Sequence, residues 1–95
     1  MKLQNLLTHK KEIIKLANTH GASNLRVFGS IARGEADQKS DVDLIVDLKK
    51  DSTLLNLGAL LMDLEDLLHC KVDLVTEKAL NPRIKDKVLK EAISL

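Results

Sequence analysis

Residues 28–47 read FGSIARGEADQKSDVDLIVD, and what stands at the two ends of this stretch decides the fold. Leu25-Arg26-Val27-Phe28 is a short strand-forming run that ends abruptly at Gly29-Ser30. Asp41 to Leu48 alternates apolar and polar residues and is rich in β-branched side chains, which predicts a second strand. Val42, Leu44, Val46 and Leu48 share one face of it; Asp41, Asp43 and Asp47 share the other, with Ile45 between them. Ile31 to Ser40 is a polar connector with room for a helical turn at its start.

Working outward, Leu3, Leu6, Leu7, Ile13, Ile14 and Ala17 fall at helical spacing, which predicts one helix from Leu3 to about Ala17. Gly21 is placed to end it as a C-terminal cap residue. Ser52 is expected to cap a long helix to about Leu68, with Leu54, Leu57, Leu61, Leu64 and Leu68 turned inward. Lys71–Thr76 reads as a third strand, in which Val72 and Leu74 face away from Asp73 and Val75. Asn81-Pro82 opens a last helix, whose apolar face is Ile84, Val88, Leu89, Ala92 and Ile93. The expectation is an α/β chain of one domain over residues 1–95. It has a small sheet, helices over one sheet face, and aspartates on the other.

Composition narrows the function. The formal net charge is +1 and Phe28 is the one aromatic residue, so neither a polyanion-attracting field nor a base-stacking platform is expected. Direct nucleic-acid binding is disfavoured on both counts. Cys70 is the single cysteine, which leaves no intramolecular disulfide and no cysteine cluster for zinc. No apolar run reaches the roughly 20 residues that span a bilayer. The charged N-terminal stretch does not read as a secretion signal, so a cytoplasmic location and no membrane partner are expected.

The aspartates carry the chemistry. Asp fits a half-buried strand poorly, and two carboxylates on one face raise each other's pKa unless a cation lies between them. By themselves Asp41 and Asp43 read equally well as solvent-facing positions of a one-sided sheet, and Asp47, near the strand end, reads better as one. Asp73 adds a third carboxylate to the same face if its strand is a neighbour. Three such groups can hold two magnesium ions for in-line phosphoryl displacement. A glycine directly after a strand, followed by a helical turn, lets backbone N–H groups approach an anion, and the Ser30 hydroxyl is a further donor.

Gly29-Ser30, ten intervening residues, then Asp41-Val42-Asp43 spells G-S-x10-D-x-D. Together with Ala32-Arg33-Gly34-Glu35 and the later KVDLVT, this resembles the minimal nucleotidyltransferases of the DNA polymerase β-like superfamily. The likeness runs from about Leu25 to the final helix. It implies a polymerase β-like palm fold and ATP as substrate. It further implies Gly29 and Ser30 on the β- and γ-phosphates, Asp41 and Asp43 bridging two Mg2+ ions, and Asp73 completing the catalytic metal site while helping to deprotonate the acceptor. Arg33 is expected either to contact the triphosphate or to face solvent or a partner.

Little chain is left over to build an acceptor pocket, so a protein hydroxyl is the expected acceptor. Short members of this family resemble antitoxins whose partner is an all-helical HEPN-domain ribonuclease, adenylylated on a tyrosine. The resemblance therefore implies a HEPN toxin as partner. Two alternatives remain at this stage: an antitoxin acting by stoichiometric binding alone, and transfer to a small molecule of the aminoglycoside type. His9 and His20 have no evident partners, and His69-Cys70 reads as a helix–strand junction rather than a reactive site. Lys85, Lys87 and Lys90 read as a solvated helix face.

Overall fold

A computed structural model describes all residues from Met1 to Leu95. Helices α1 (Leu3–Thr8) and α2 (Lys10–Thr19) lead into strand β1 (Ala22–Phe28), the short helix α3 (Gly29–Arg33) and strand β2 (Val42–Leu48). Helix α4 (Leu54–Leu68), strand β3 (Val72–Thr76), a single 3-10 turn (Glu77–Ala79), helix α5 (Pro82–Glu91) and strand β4 (Ile93–Ser94) complete the chain. The sheet order is β3-β2-β1-β4. β1 is antiparallel to both β2 and β4, and β2 is parallel to β3 across the α4 crossover. The expected mixed α/β fold is the one observed.

Alternation explains the layers. Val42, Leu44 and Val46 of β2, Val72 and Leu74 of β3, and Leu25 and Val27 of β1 are buried against Leu6, Ile13, Ala17, Leu60, Leu64 and Leu68 of the helices. Helices α1, α2 and α4 therefore cover one sheet face, and apolar burial of this kind is the main force holding the domain together. α5 does not join that layer: it has no buried residue, lies outside the main cluster, and packs against α3 and β1. Ile45, on the acidic face, is fully buried yet also outside the main cluster.

Several boundaries differ from the sequence expectation, each for a local reason. The first helix is interrupted at His9, whose N–H turns back to the Leu6 carbonyl at 3.0 Å. β1 begins three residues earlier than Leu25, because a register slip between Ser23 and Arg26 hides its alternation. Asn24 sits in that slip at φ +52°, a conformation its short polar side chain tolerates. Thr53, not Ser52, caps α4: its hydroxyl accepts the Leu55 N–H at 3.2 Å, while Asn56 Oδ1 accepts the Thr53 N–H at 2.8 Å. Ser52 instead donates to the Gly21 carbonyl at 2.8 Å. The last helix stops at Glu91, so Ala92 and Ile93 leave its apolar face, and Ile93 pairs with Val27 as a fourth strand.

The inward stripe of α4 also differs: Leu60 joins Leu64 and Leu68 in it, Leu57 and Leu61 are half-buried, and Leu54, expected inward, is exposed because it stands at the first turn on the far side of the helix. The expected turn and cap residues match. Gly21 follows α2 at φ +72°, the Asn81 side chain caps α5 by accepting the Arg83 N–H at 2.9 Å, and Pro82 takes the first helical position. No helix is long and apolar enough to cross a membrane.

Candidate active site

The site is assembled where β1 ends and β2 and β3 begin. Phe28 is the register partner of Asp43, so the chain enters α3 directly beside that carboxylate. Gly29 then takes φ +72°, and a Cβ added there would lie 2.3 Å from Asp43 Oδ2. Both the conformation and the contact require glycine. The first N–H groups of α3 lack partners within the helix by the nature of helix starts, and they flank Asp43 rather than the core. Ile31 anchors α3 in the core, leaving Ser30 half-buried and Arg33 exposed.

Parallel pairing sets Asp43 opposite Asp73, on strands about 4.8 Å apart. Asp41 lies two residues before Asp43, exposed, just outside β2. Burial pushes the Asp43 carboxyl above its ordinary value, and the charges of Asp73 and then Asp41 push it further. Asp41, Asp43 and Asp73 are thus electrostatic neighbours, as the sequence predicts. They are not closed into a ready ligand set, since no three acidic, His or Cys side chains cluster tightly enough to hold a metal. The donor set nonetheless fits magnesium: hard carboxylate oxygens, mutual repulsion that a divalent cation relieves, and an open side for phosphates.

Arg33 bears on the same place. Its charge draws the Asp43 pKa back down, and its guanidinium reaches Glu35 at 3.1 Å and Glu91 of α5 at 3.5 Å. The hydrogen bond to Glu35, with the charges of both glutamates, holds Arg33 more firmly protonated. Glu35 stood in the Ala32–Glu35 run without a role of its own, and Glu91 carried no signal in the sequence. The loop leading to Asp41 did carry one, the Asp-x-x-Ser run at 37–40. Asp37 Oδ1 accepts the Lys39 N–H at 2.8 Å, and Ser40 Oγ accepts the Asp37 N–H at 2.9 Å. The bond from Lys39, and after it the Ser40 hydroxyl donating to Asp37 Oδ1 at 3.2 Å, hold the Asp37 carboxyl below its usual range.

Asp47 stands apart, as expected. It accepts from Arg26 Nη2 and Asn24 Nδ2, both at 2.9 Å, and Arg26 also reaches Glu77 at 3.3 Å. Lys85 lines an open cleft of about 560 Å³ with Asp47, Glu77 and Lys78, at the far ends of β2 and β3. This cleft does not include the acidic trio; the trio lies on an open shelf rather than in a cavity. Cys70 is a free thiol pushed up by burial, in keeping with a junction residue. His20 does have a partner, contrary to the sequence expectation: its Nε2 lies 2.6 Å from Asp63 Oδ2, tying the end of α2 to α4.

A backbone-lined turn facing a strand pair of carboxylates, on the open end of the sheet face that α1, α2 and α4 do not cover, is the construction of a nucleotidyl-transfer palm. Comparison with known proteins agrees. Residues 8–95 match the model of the nucleotidyltransferase domain family, and the chain belongs to that family as a minimal nucleotidyltransferase, an enzyme. It is 41% identical over 92 residues to the protein adenylyltransferase MntA of Thermococcus cleftensis, covering 96% of this chain and 90% of that one. A solved structure of a candidate minimal nucleotidyltransferase superposes with a TM-score of 0.87 at 45% identity, over 100% of this chain and 97% of its own. A toxin–antitoxin crystallised with AMP-PNP shares the fold at a TM-score of 0.74 and 23% identity, over 90% of this chain and 70% of that one.

Proposed function

We propose that this chain is a magnesium-dependent protein adenylyltransferase that moves AMP from ATP onto a tyrosine of a HEPN-type toxin, and so acts as its antitoxin. The observation that carries the reading is the contact of Gly29 with Asp43. It sets phosphate-binding backbone against a carboxylate whose raised pKa calls for a cation. The relative named protein adenylyltransferase supports a protein as acceptor, and the fold neighbour crystallised as a toxin–antitoxin with AMP-PNP supports a toxin as partner; the tyrosine and the HEPN type rest on the family resemblance.

In this reading Gly29 N–H and the Ser30 N–H and hydroxyl hold the β- and γ-phosphates, and Arg33 turns from Glu35 and Glu91 toward the triphosphate. Asp41, Asp43 and Asp73 would hold two magnesium ions, which neutralise phosphate charge as the transferred group passes in line between oxygens. The acceptor oxygen bonds to the α-phosphorus, the bond to the β-phosphate breaks, and diphosphate leaves. Asp73, on the neighbouring strand, helps remove the acceptor proton. Substrate positioning beyond the triphosphate falls to the partner.

The test is transfer of radiolabel from ATP to the protein encoded beside this chain, with magnesium present. Label in the α-phosphate should appear on the neighbour's tyrosine, and label in the γ-phosphate should not. Asp41→Asn and Asp43→Asn should each abolish transfer, whereas Ser30→Ala should weaken it less because backbone donors remain. Inhibition of the neighbour with no α-label on it would instead mark a stoichiometric binder.

A further inference from the structure

The outer face of α4 is apolar where a solvated helix would carry charge. Leu60, Leu64 and Leu68 fill the inward stripe. On the opposite side, Leu54 is 78%, Leu55 85% and Met62 67% exposed, with Gly58 exposed between them. At 3.6 residues per turn these four project in one direction, and Asp66 continues the same line. Arrangement on both faces distinguishes α4 from α2 and α5, whose outward residues are mostly charged.

Gly58 is the second observation. Glycine is the poorest helix former after proline. A Cβ at Gly58 would meet nothing within 4 Å, and its backbone has no positive φ. Nothing in the chain's own packing therefore requires glycine there. A bare backbone flanked by large apolar side chains at i−3 and i+4 is what close approach of a second helix requires.

We infer that this face docks a second copy of the same chain, helix α4 crossing α4 antiparallel about a two-fold axis between Gly58 and Ala59. The stripe is self-complementary about that point: the axis that sets Gly58 against Ala59 of the other copy also sets Leu55 against its Met62. A two-fold interface must be self-matching in this way. Charge agrees, because α4 holds Asp63, Glu65 and Asp66 near its C-terminal end and no basic residue. The antiparallel arrangement brings that end toward the other copy's exposed Lys49-Lys50-Asp51, just before its α4, where two lysines outweigh the one aspartate that falls opposite Asp66. Since α4 packs on the face away from Asp43, the dimer leaves both acidic shelves facing outward. The inference stands independently of the transfer chemistry.

Sedimentation velocity on the full chain tests it, across low to high micromolar concentration. Wild type should run at twice the 10.5 kDa chain mass. The double variant Leu55→Glu with Met62→Glu should run as one chain with an unchanged far-UV circular dichroism spectrum. Gly58→Leu adds a side chain into open space in the single chain, so it should fold at least as well as wild type and also fail to dimerise. It therefore decides the matter should the double variant not fold. A wild type of any mass other than two chains overturns the inference, including a monomer whose α4 is covered by a different protein. Persistence of the dimer in either folded variant overturns it as well.

Discussion

At Gly29 the backbone and a carboxylate compete for one small volume. With φ at +72° and Asp43 Oδ2 only 2.3 Å from where a Cβ would be, Gly29→Ala must both strain the chain and push Asp43 aside. We predict a loss of about 1–3 kcal/mol in urea unfolding together with loss of transfer. Asp43→Asn should do the reverse to stability. Burial, then Asp73 and Asp41, raise the folded pKa of Asp43 above its unfolded value. Such a group favours folding below the unfolded pKa and loses that contribution as pH rises through the folded one. At neutral pH the ionised Asp43 therefore weighs against the fold. Asp43→Asn should melt above wild type there, and the gap should narrow as the pH falls through the raised folded value of Asp43 and close below the ordinary Asp range, where the group is protonated in both states. Equal melting temperatures across that range would contradict the electrostatic picture. The pattern G-S-x10-D-x-D singled out Gly29, Ser30, Asp41 and Asp43, strand parity added Asp73, and the fold brings these residues to one end of the sheet. The link of Glu91 to Arg33 was not legible, because it depends on where α5 docks against α3, and that of Glu35, two residues away, depends on the turn that ends α3.

Elements were legible where periodicity is strong and blurred where a polar contact decides the boundary. Both Ser52 and Thr53 are plausible caps by residue type, and the choice falls to Thr53 because Asn56 is placed to bond back to its N–H. Ser52 is drawn off by the Gly21 carbonyl, from which a Cβ on Gly21 would exclude it. Thr53→Ala should accordingly cost about 1 kcal/mol, seen as a fall in melting temperature of about 4–8 °C. No change would mean that the capping box contributes nothing in solution. The fourth strand was hidden because Ile93 continues the apolar spacing of α5. Its pairing with Val27 comes from the open edge of β1, which only the assembled sheet presents. The break at His9 was hidden for a related reason: Leu6, Ile13 and Ala17 stay on one buried line across it.

For the whole molecule, the main core is a cluster of 15 buried residues, none of them aromatic, so each large side chain in it carries a sizeable share of stability. Leu64→Ala, at a fully buried position in the C-terminal half of α4, should cost about 2–5 kcal/mol in denaturant unfolding. That is a large part of the stability expected for so short a chain. The layered arrangement puts this core behind the sheet and leaves the acidic shelf in front. The central claim is that this shelf is a metal–nucleotide site built around Asp43. The most direct measurement is thermal unfolding of wild type and Asp43→Asn with magnesium and the α,β-methylene analogue of ATP. A ligand at one hundred times its dissociation constant adds about 2.7 kcal/mol. Wild type should therefore rise by about 10–20 °C only when both metal and nucleotide are present, while Asp43→Asn, starting higher, should not move. An equal rise in both proteins, or none in wild type, would contradict the account.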